Sequence, residues 1–430
     1  MNAVNSRIGL RFYSTVWYKL ESHPLIFFVL LHISAFLLFF TIDDSLRLGE
    51  MERSFAIKMI NGRLPYANFP VEYPPLALLT FLLPAIFFRT PQAYGWAFGG
   101  EFLIINLIIL VLIAAIAPYL QVSKWKALGI YTAFLIGIGA LVFNRYDLLP
   151  TMLVLLALFA FLKKKTTSAW TASALGTMSK IYPAMLVPIF ALYHLSQRSY
   201  RKMVLGIAVF LFVLLAISLP WLLLNADGFL HFLTYHAVRG LHSESTYGVG
   251  LLVGGLLGIT QVKGVFNFGS WNLSSPLADL FANISVYITA GLLLIVYLSF
   301  AYQLRKRSNS NRITNFSETE TAALIVRYTA LAILVTLLAS KVFSPQYLIW
   351  LCPIIALLKT PNRYTIWALF LVAAGFTQYV YPYHYGEFEL GDPLTIYLLA
   401  ARNLLLIIVA VLLAIPARQP IQSNVNVIPD

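Results

Sequence analysis

The sequence predicts an all-α polytopic membrane protein, and three observations carry that prediction. The 430 residues are 60% hydrophobic and only 11% charged, against the roughly 25% charge of a typical soluble domain. The apolar residues form continuous runs approaching the ~20 that a helix needs to cross a hydrocarbon core, whereas strands of a membrane barrel alternate apolar with polar residues. Lys and Arg gather in short loops between these runs, so the net charge of +13 reads as the basic bias of cytoplasmic loops and gives no support to nucleic-acid binding.

The first run, 24–42, is long enough to span and lacks a small-residue cleavage site, so it is expected to be a retained first helix. Further spans are read at 97–119, 127–143, 148–162, 169–180, 182–195, 204–224, 281–303, 322–340, 346–358, 364–381 and 394–415, which gives about twelve transmembrane helices. With Arg7, Arg11 and Lys19 cytoplasmic, the same side receives Lys124, Lys126, Lys163 to Lys165, Arg198, Arg201, Lys202, Arg305 to Arg307, Lys359, Arg363 and Arg418. Both termini are then cytoplasmic, in a multi-pass protein of the cell membrane.

Two stretches need separate treatment. Counting 75–88 as a crossing would put the later basic loops on alternating sides, so this proline-flanked run is expected to lie on the outer face or re-enter from it. Between Lys165 and Arg198 the chain must leave and return to the same side. "TASALGTMSKIYPAMLVP" is therefore expected to form two short segments that break near Lys180 and Pro183. No linker separates a soluble domain, so residues 1–430 read as one integral domain with outer loops at about 43–96 and 225–280. The single cysteine, Cys352, lies in an apolar run and excludes a disulfide framework or a cysteine metal site.

This topology sends most of the 17 acidic residues to the outer face or its edge, among them Asp43, Asp44, Glu50, Glu52, Glu72, Asp147, Glu244, Glu387 and Glu389. Arg145, Lys180, His231, His236, Arg239, His242, Lys341 and Gln346 join them. Any one of these residues alone is a solvated loop side chain, but together they mark the face that carries chemistry. Arg327 and Arg402 fall inside spans, where an arginine costs at least roughly 2.5 kcal/mol unless it meets a counter-ion, a wet cavity or a headgroup. Arg327 lies near a helix end and can snorkel. Arg402 cannot do so as easily.

Five segments, in order, resemble a known family. "GRLPYANFPVEYPPLALL" is similar to the outer-loop signature of the polyprenol-phosphate-dependent mannosyltransferases, C-type glycosyltransferases of family 87, in which G-x-x-P-Y precedes E-Y-P-P. "NRYDLLPTMLVLLAL" (144–158), "SKIYPAMLVP" (179–188) and "FLTYHAVRGLHSES" (232–245) resemble later signatures of that family. "SKVFSPQYLIWLCPI" (340–354) is also similar to a segment of the first mannosyltransferase of the glycosylphosphatidylinositol pathway. The resemblance covers residues 43 to 354. It implies a C-type glycosyltransferase-like fold and transfer of a sugar, mannose by family, from a polyprenyl phosphate to a lipid or glycan acceptor at the outer face. Membrane lipids are the other expected partners.

Donor chemistry assigns expected roles. Nucleotide sugars are made in the cytoplasm, so an outward-facing transferase needs a lipid-linked donor whose phosphate sits at headgroup depth. Arg239 is the leading phosphate ligand, because a guanidinium binds phosphate oxygens bidentately and stabilises the leaving group. Lys180, Lys341 and Arg402 follow. Inverting displacement also needs a carboxylate to take the acceptor's proton. The resemblance implies the aspartate after helix 1, hence Asp44 or Asp43; the 18 residues from Asp44 to Gly62 exceed the expected spacing and keep Glu50 and Glu52 in play. Tyr66, Tyr73 and Glu72 can contact sugar, and Asp147, His236, Glu244 and Gln346 complete the binding set. No resident cofactor is required; the Asp43–Asp44 pair can hold a divalent cation, but metal-independent transfer is expected. A flippase for a lipid-linked sugar would share many of these features, yet the two similar halves common in transporters are not evident. An oligosaccharide ligase would share the donor chemistry and need a larger outer cavity.

Overall fold

The computed structural model describes residues 23–42, 49–139, 141–310 and 318–415. Helix α1 (Pro24–Ile42) is followed by a pair of shorter helices, α2 (Glu50–Ile60) and α3 (Pro75–Phe87). Then come α4 (Pro91–Ile116), α5 (Lys124–Ile138), α6 (Leu148–Leu162), α7 (Thr166–Ser179) and α8 (Leu186–Ser196). The rest of the chain builds α9 (Tyr200–Val238), α10 (Thr246–Leu256), α11 (Pro276–Ser310), α12 (Glu318–Ala339), α13 (Arg363–Gln378) and α14 (Pro393–Ala414). Among the described residues five helical stretches are long and apolar enough to cross a membrane: Pro91–Leu120, Tyr200–Val238, Pro276–Lys306, Glu318–Ala339 and Pro393–Ala414. The other apolar helices are shorter. The expected span 346–358 is a 3₁₀ turn, Pro345–Trp350, followed by the short helix Cys352–Ala356.

Local chemistry accounts for the breaks. Proline at the first position of α3, α4 and α14 starts each helix where a missing N–H costs nothing. Helix α7 ends at an extended Lys180, and a 3₁₀ turn, Tyr182–Met185, leads into α8, so the chain does break around Lys180 and Pro183. The break in α9 falls at Asn225 (φ −160°, ψ 95°). Its side-chain oxygen accepts a hydrogen bond from the Gly228 N–H at 2.9 Å and so caps the second half of the helix. That half carries His236 toward Arg239.

The chain is mostly helical as expected, but the segment 225–280 departs from the all-α expectation with a three-stranded antiparallel sheet of order β1 (Leu241–His242), β3 (Ser270–Ser274), β2 (Lys263–Asn267). Two left-handed residues, Phe268 (φ 50°) and Gly269 (φ 65°), join Asn267 to its partner Ser270. This is the two-residue turn whose twist matches paired strands.

Packing joins α6 to α7, α7 to α9, α11 to α12, and α13 to both α5 and α14. A polar chain ties α1, α4 and α5 together inside the apolar bundle. The Asn106 amide donates to His32 Nδ1 at 2.7 Å, so Nε2 carries the proton and donates to Thr132 Oγ1 at 2.8 Å. The Thr132 hydroxyl donates to Leu128 O, and the Tyr131 hydroxyl donates to Asn106 Oδ1 at 2.6 Å. Each buried polar group is thereby matched, as hydrocarbon surroundings demand.

Candidate active site

The loop between α2 and α3 is folded by its own unusual residues. Gly62 and Tyr66 take positive φ (79° and 65°), and Asn68 Oδ1 accepts the Leu64 N–H at 2.7 Å. The Tyr66 ring packs against Trp221 and Phe229 of α9, while its hydroxyl donates to Tyr73 O at 2.6 Å. Gly228 of α9 lets the loop sit close: a Cβ there would lie 1.8 Å from Tyr66 O. Tyr66 is therefore an anchor, 2% exposed, that turns the following residues, Glu72 and Tyr73, toward a cavity.

That cavity encloses about 500 Å³ and is lined from many parts of the chain. They include α2 (Glu52), the loop before α3 (Glu72, Tyr73), the turn before α6 (Arg145, Asp147), the α7–α8 break (Lys180), the 235–244 segment with the β2–β3 turn, the end of α12 with residues 340–350, and Tyr381 and Tyr385 after α13. Of the expected site residues, Arg239, Lys180, Lys341, Glu72, Tyr73, Asp147, His236, Glu244 and Gln346 line it. Tyr66 and Arg402 do not, Tyr66 because its ring is used in docking the loop and Arg402 because it is spent behind the wall. Asp43 and Asp44 lie outside the described residues.

The four cations of the wall differ in how they are held. Lys180 Nζ sits 2.6 Å from Asp147 Oδ1 and 4.6, 4.9 and 5.1 Å from the ring centres of Tyr146, Tyr347 and Trp350. Trp350 Nε1 donates to the same Asp147 oxygen at 2.6 Å and stacks on Tyr182. This charge is matched and caged. By contrast, no carboxylate of the described residues lies within 4.0 Å of Arg145, Arg239 or Lys341. Arg239 Nη2 donates to Ser270 Oγ at the hairpin turn, Lys341 Nζ donates to Ala237 O at 2.7 Å, and Arg145 Nη2 donates to the Tyr381 hydroxyl at 3.4 Å. The Nε atoms of both arginines are buried without a partner. Burial, with Arg239 adding, lowers the Lys341 ammonium from its ordinary range.

Opposite charge enters mainly through Glu52, which is 1% exposed and has neither carboxylate oxygen hydrogen-bonded. Burial raises its carboxyl above the ordinary range, with Arg145 opposing. Burial likewise raises Glu72. A buried acid with no partner forfeits the interactions that normally offset its desolvation. Facing a cavity, it is available to a ligand's donors.

Behind the wall, Arg402 explains its own burial. Nη2 donates to Glu244 O at 2.7 Å, Nη1 lies 3.5 Å from Glu244 Oε2, Nε donates to Asn403 Oδ1 at 3.0 Å, and the guanidinium stands 4.5 Å from the Phe343 ring centre. Burial lifts the Glu244 carboxyl to about 7, with Arg402 holding it back. The pair fixes the 241–245 segment.

Several lining residues escaped selection as site residues. Arg145 was legible only as an outer-face charge beside Asp147. Tyr381 and Tyr385 look in sequence like interfacial-belt tyrosines, and Ser270 carries no signal outside its hairpin. Among the described residues no group of three His, Cys, Asp or Glu side chains could hold a metal ion.

Comparison with known proteins identifies the family. The chain is similar in structure to ArnT from Cupriavidus metallidurans bound to undecaprenyl phosphate (15% identity, 90% of this chain and 76% of that chain, TM-score 0.46). It is similar to the apo form of the same protein (13% identity, 92% and 77%, TM-score 0.46), and to an Archaeoglobus fulgidus oligosaccharyltransferase tethered with an acceptor peptide (14% identity, 86% and 51%, TM-score 0.37). No curated protein matches it. The sequence model of Glycosyltransferase family 87 matches residues 71–340, more than half of the chain and the span holding most of the cavity wall, and the protein accordingly belongs to glycosyltransferase family 87, the C-type glycosyltransferases of multi-pass membrane architecture.

Proposed function

We propose that this chain moves a sugar, mannose by its motifs, from a polyprenyl-phosphate donor to a hydroxyl of a lipid or glycan acceptor in the outer-face cavity. The observation that carries the reading is the pairing of Arg145, Arg239 and Lys341, cations without carboxylate partners, with the unpartnered Glu52 carboxyl in one 500 Å³ space. Arg239 and Lys341 bind the donor phosphate and stabilise the charge that develops there as the glycosidic C–O bond breaks. A carboxylate takes the acceptor proton, the freed oxygen attacks the anomeric carbon from the opposite side, and polyprenyl phosphate leaves with inversion. The topology expected from the basic loops, with cytoplasmic termini, puts this cavity on the side where nucleotide sugars are lacking. Lys180, neutralised by Asp147, shapes the wall.

The base comes from the acidic stretch that follows the first helix. The resemblance favours Asp44 and Asp43, and the empty hydrogen-bonding capacity of Glu52 favours that residue. Asp43→Asn, Asp44→Asn, Glu50→Gln and Glu52→Gln, compared side by side for product formation and donor binding, identify it. Loss of the base lowers turnover by about 10²–10⁴-fold while donor binding survives. If Glu52 is the base, turnover rises with pH as its carboxyl deprotonates, along a limb above the ordinary carboxylate range, and the limb disappears in Glu52→Gln. Four amide variants with undiminished turnover contradict carboxylate base catalysis from this stretch.

A further inference from the structure

His242 is more than part of the wall's framework. It is 2% exposed and lines the cavity, and four hydrogen bonds fix it. Its backbone N–H donates to Lys341 O at 3.0 Å, its backbone carbonyl accepts both the Ser245 hydroxyl at 2.7 Å and the Ser245 N–H at 3.0 Å, and its ring Nδ1 lies 3.1 Å from Phe343 O. Strand pairing opposite Asn272 adds a further restraint. A carbonyl oxygen can only accept, so Nδ1 must carry the proton. In a neutral imidazole Nε2 then holds a lone pair, and no described residue donates to it. Neither nearby cation donates to it: Arg239 Nη2 donates to Ser270 Oγ and Lys341 Nζ to Ala237 O.

We infer that His242 reads a hydroxyl of the transferred sugar, accepting its hydrogen bond at Nε2 beside the phosphate-binding Arg239. The assignment rests on the proposed donor reading and deepens it from a phosphate site to a sugar-specificity site. Burial, with Arg239 and Arg402 adding, pushes the imidazole down to about 3, so it stays an acceptor across the physiological range. A protonated ring there would be a third cation beside the phosphate. A neutral one instead favours a ligand with an O–H pointing at it, and next to an anomeric phosphate the available O–H groups belong to the sugar. Because a polar site rejects a ligand that leaves its buried acceptor unpaired, this geometry discriminates among donors.

The test uses the full-length protein, a short-chain mannosyl phosphopolyprenol and its 2-, 3-, 4- and 6-deoxy forms. His242→Asn keeps an N–H directed at Phe343 O but withdraws the acceptor at Nε2. His242→Gln reaches the Nε2 position with an amide oxygen. The wild type should lose about 10–100-fold in kcat/KM with one deoxy donor. His242→Asn should show a similar loss with the intact donor and no further loss with that deoxy form, and His242→Gln should restore part of the preference. Inhibition by sugar-free polyprenyl phosphate should stay unchanged, which a distorted wall would not allow. Overturning results are a His242→Asn variant that keeps the wild-type preference among the five donors, or one whose loss appears equally in inhibition by the bare phosphate. A wild type that neither binds nor uses any polyprenyl-phosphate sugar overturns the donor reading itself and this inference with it.

Discussion

Arg327 and Arg402 lie inside apolar helices by sequence, and each is accounted for by what its guanidinium holds. Arg327 Nε donates to Leu413 O at 2.6 Å and Nη2 to Ile415 O, where the last carbonyls of α14 lack helical partners. Arg402 joins Glu244 and Asn403 behind the cavity. Neither assignment was legible from spacing, because each partner lies 86 or more positions away except Asn403. Arg239 belongs to a different class: its position in the loop was legible, its guanidinium is 7% exposed as a residue, and its Nε is unpartnered. Arg239→Ala should therefore lower kcat/KM for the donor by about 10²–10³-fold, the scale of losing a charge-assisted contact to a developing anion. Arg239→Lys should rescue poorly, since a point charge does not reproduce a planar fork. Thermal unfolding measured in parallel should change little. Near-normal turnover of Arg239→Ala would move the phosphate site to Lys341 or Arg145.

At the scale of elements, the proline-rich loop between α2 and α3 works as a wedge. Its glycine and its left-handed Tyr66 let the chain double back, and α9 receives it at Gly228. Gly228→Ala places a methyl against Tyr66 O, so loop or helix must give way. A loss of about 1–3 kcal/mol of stability is expected, together with a raised donor KM as Glu72 and Tyr73 shift in the cavity wall. Gly250→Ala in α10 is the control, because a Cβ there meets nothing within 4 Å. A Gly228→Ala protein with unaltered melting and donor KM would show that the loop is not seated as described. The sequence made the helices legible because apolar runs and basic loops are set by the bilayer. It made the α7–α8 break legible because proline and a polar residue interrupt the run. The hairpin was missed, since β2 and β3 are five residues each and are embedded in a chain whose every other signal is helical. The aromatic cage around Lys180 was missed for a related reason: Tyr146, Tyr347 and Trp350 come from separate regions that only the fold brings together.

For the molecule as a whole, charge asymmetry and the cavity point to the same arrangement. The basic residues of the short loops are expected on the cytoplasmic side, so a reporter fused at Lys165 or Arg307 should register cytoplasm and one within 225–280 the outside. An inward-facing 225–280 loop would remove the need for a lipid-linked donor. Three wall cations without carboxylate partners, with the unpartnered Glu52, suit group transfer better than passage of an intact lipid, because a flippase needs no base beside its headgroup site. The most direct measurement incubates the purified protein with radiolabelled mannosyl-, glucosyl- and arabinosyl-phosphopolyprenols in the presence of cellular lipid extracts and follows where the label goes. Label from the mannosyl donor should move into a new lipid or glycan product with release of polyprenyl phosphate. A protein that binds the donors yet forms no glycoside with any acceptor would contradict transfer and leave translocation of a lipid-linked sugar as the activity of this fold.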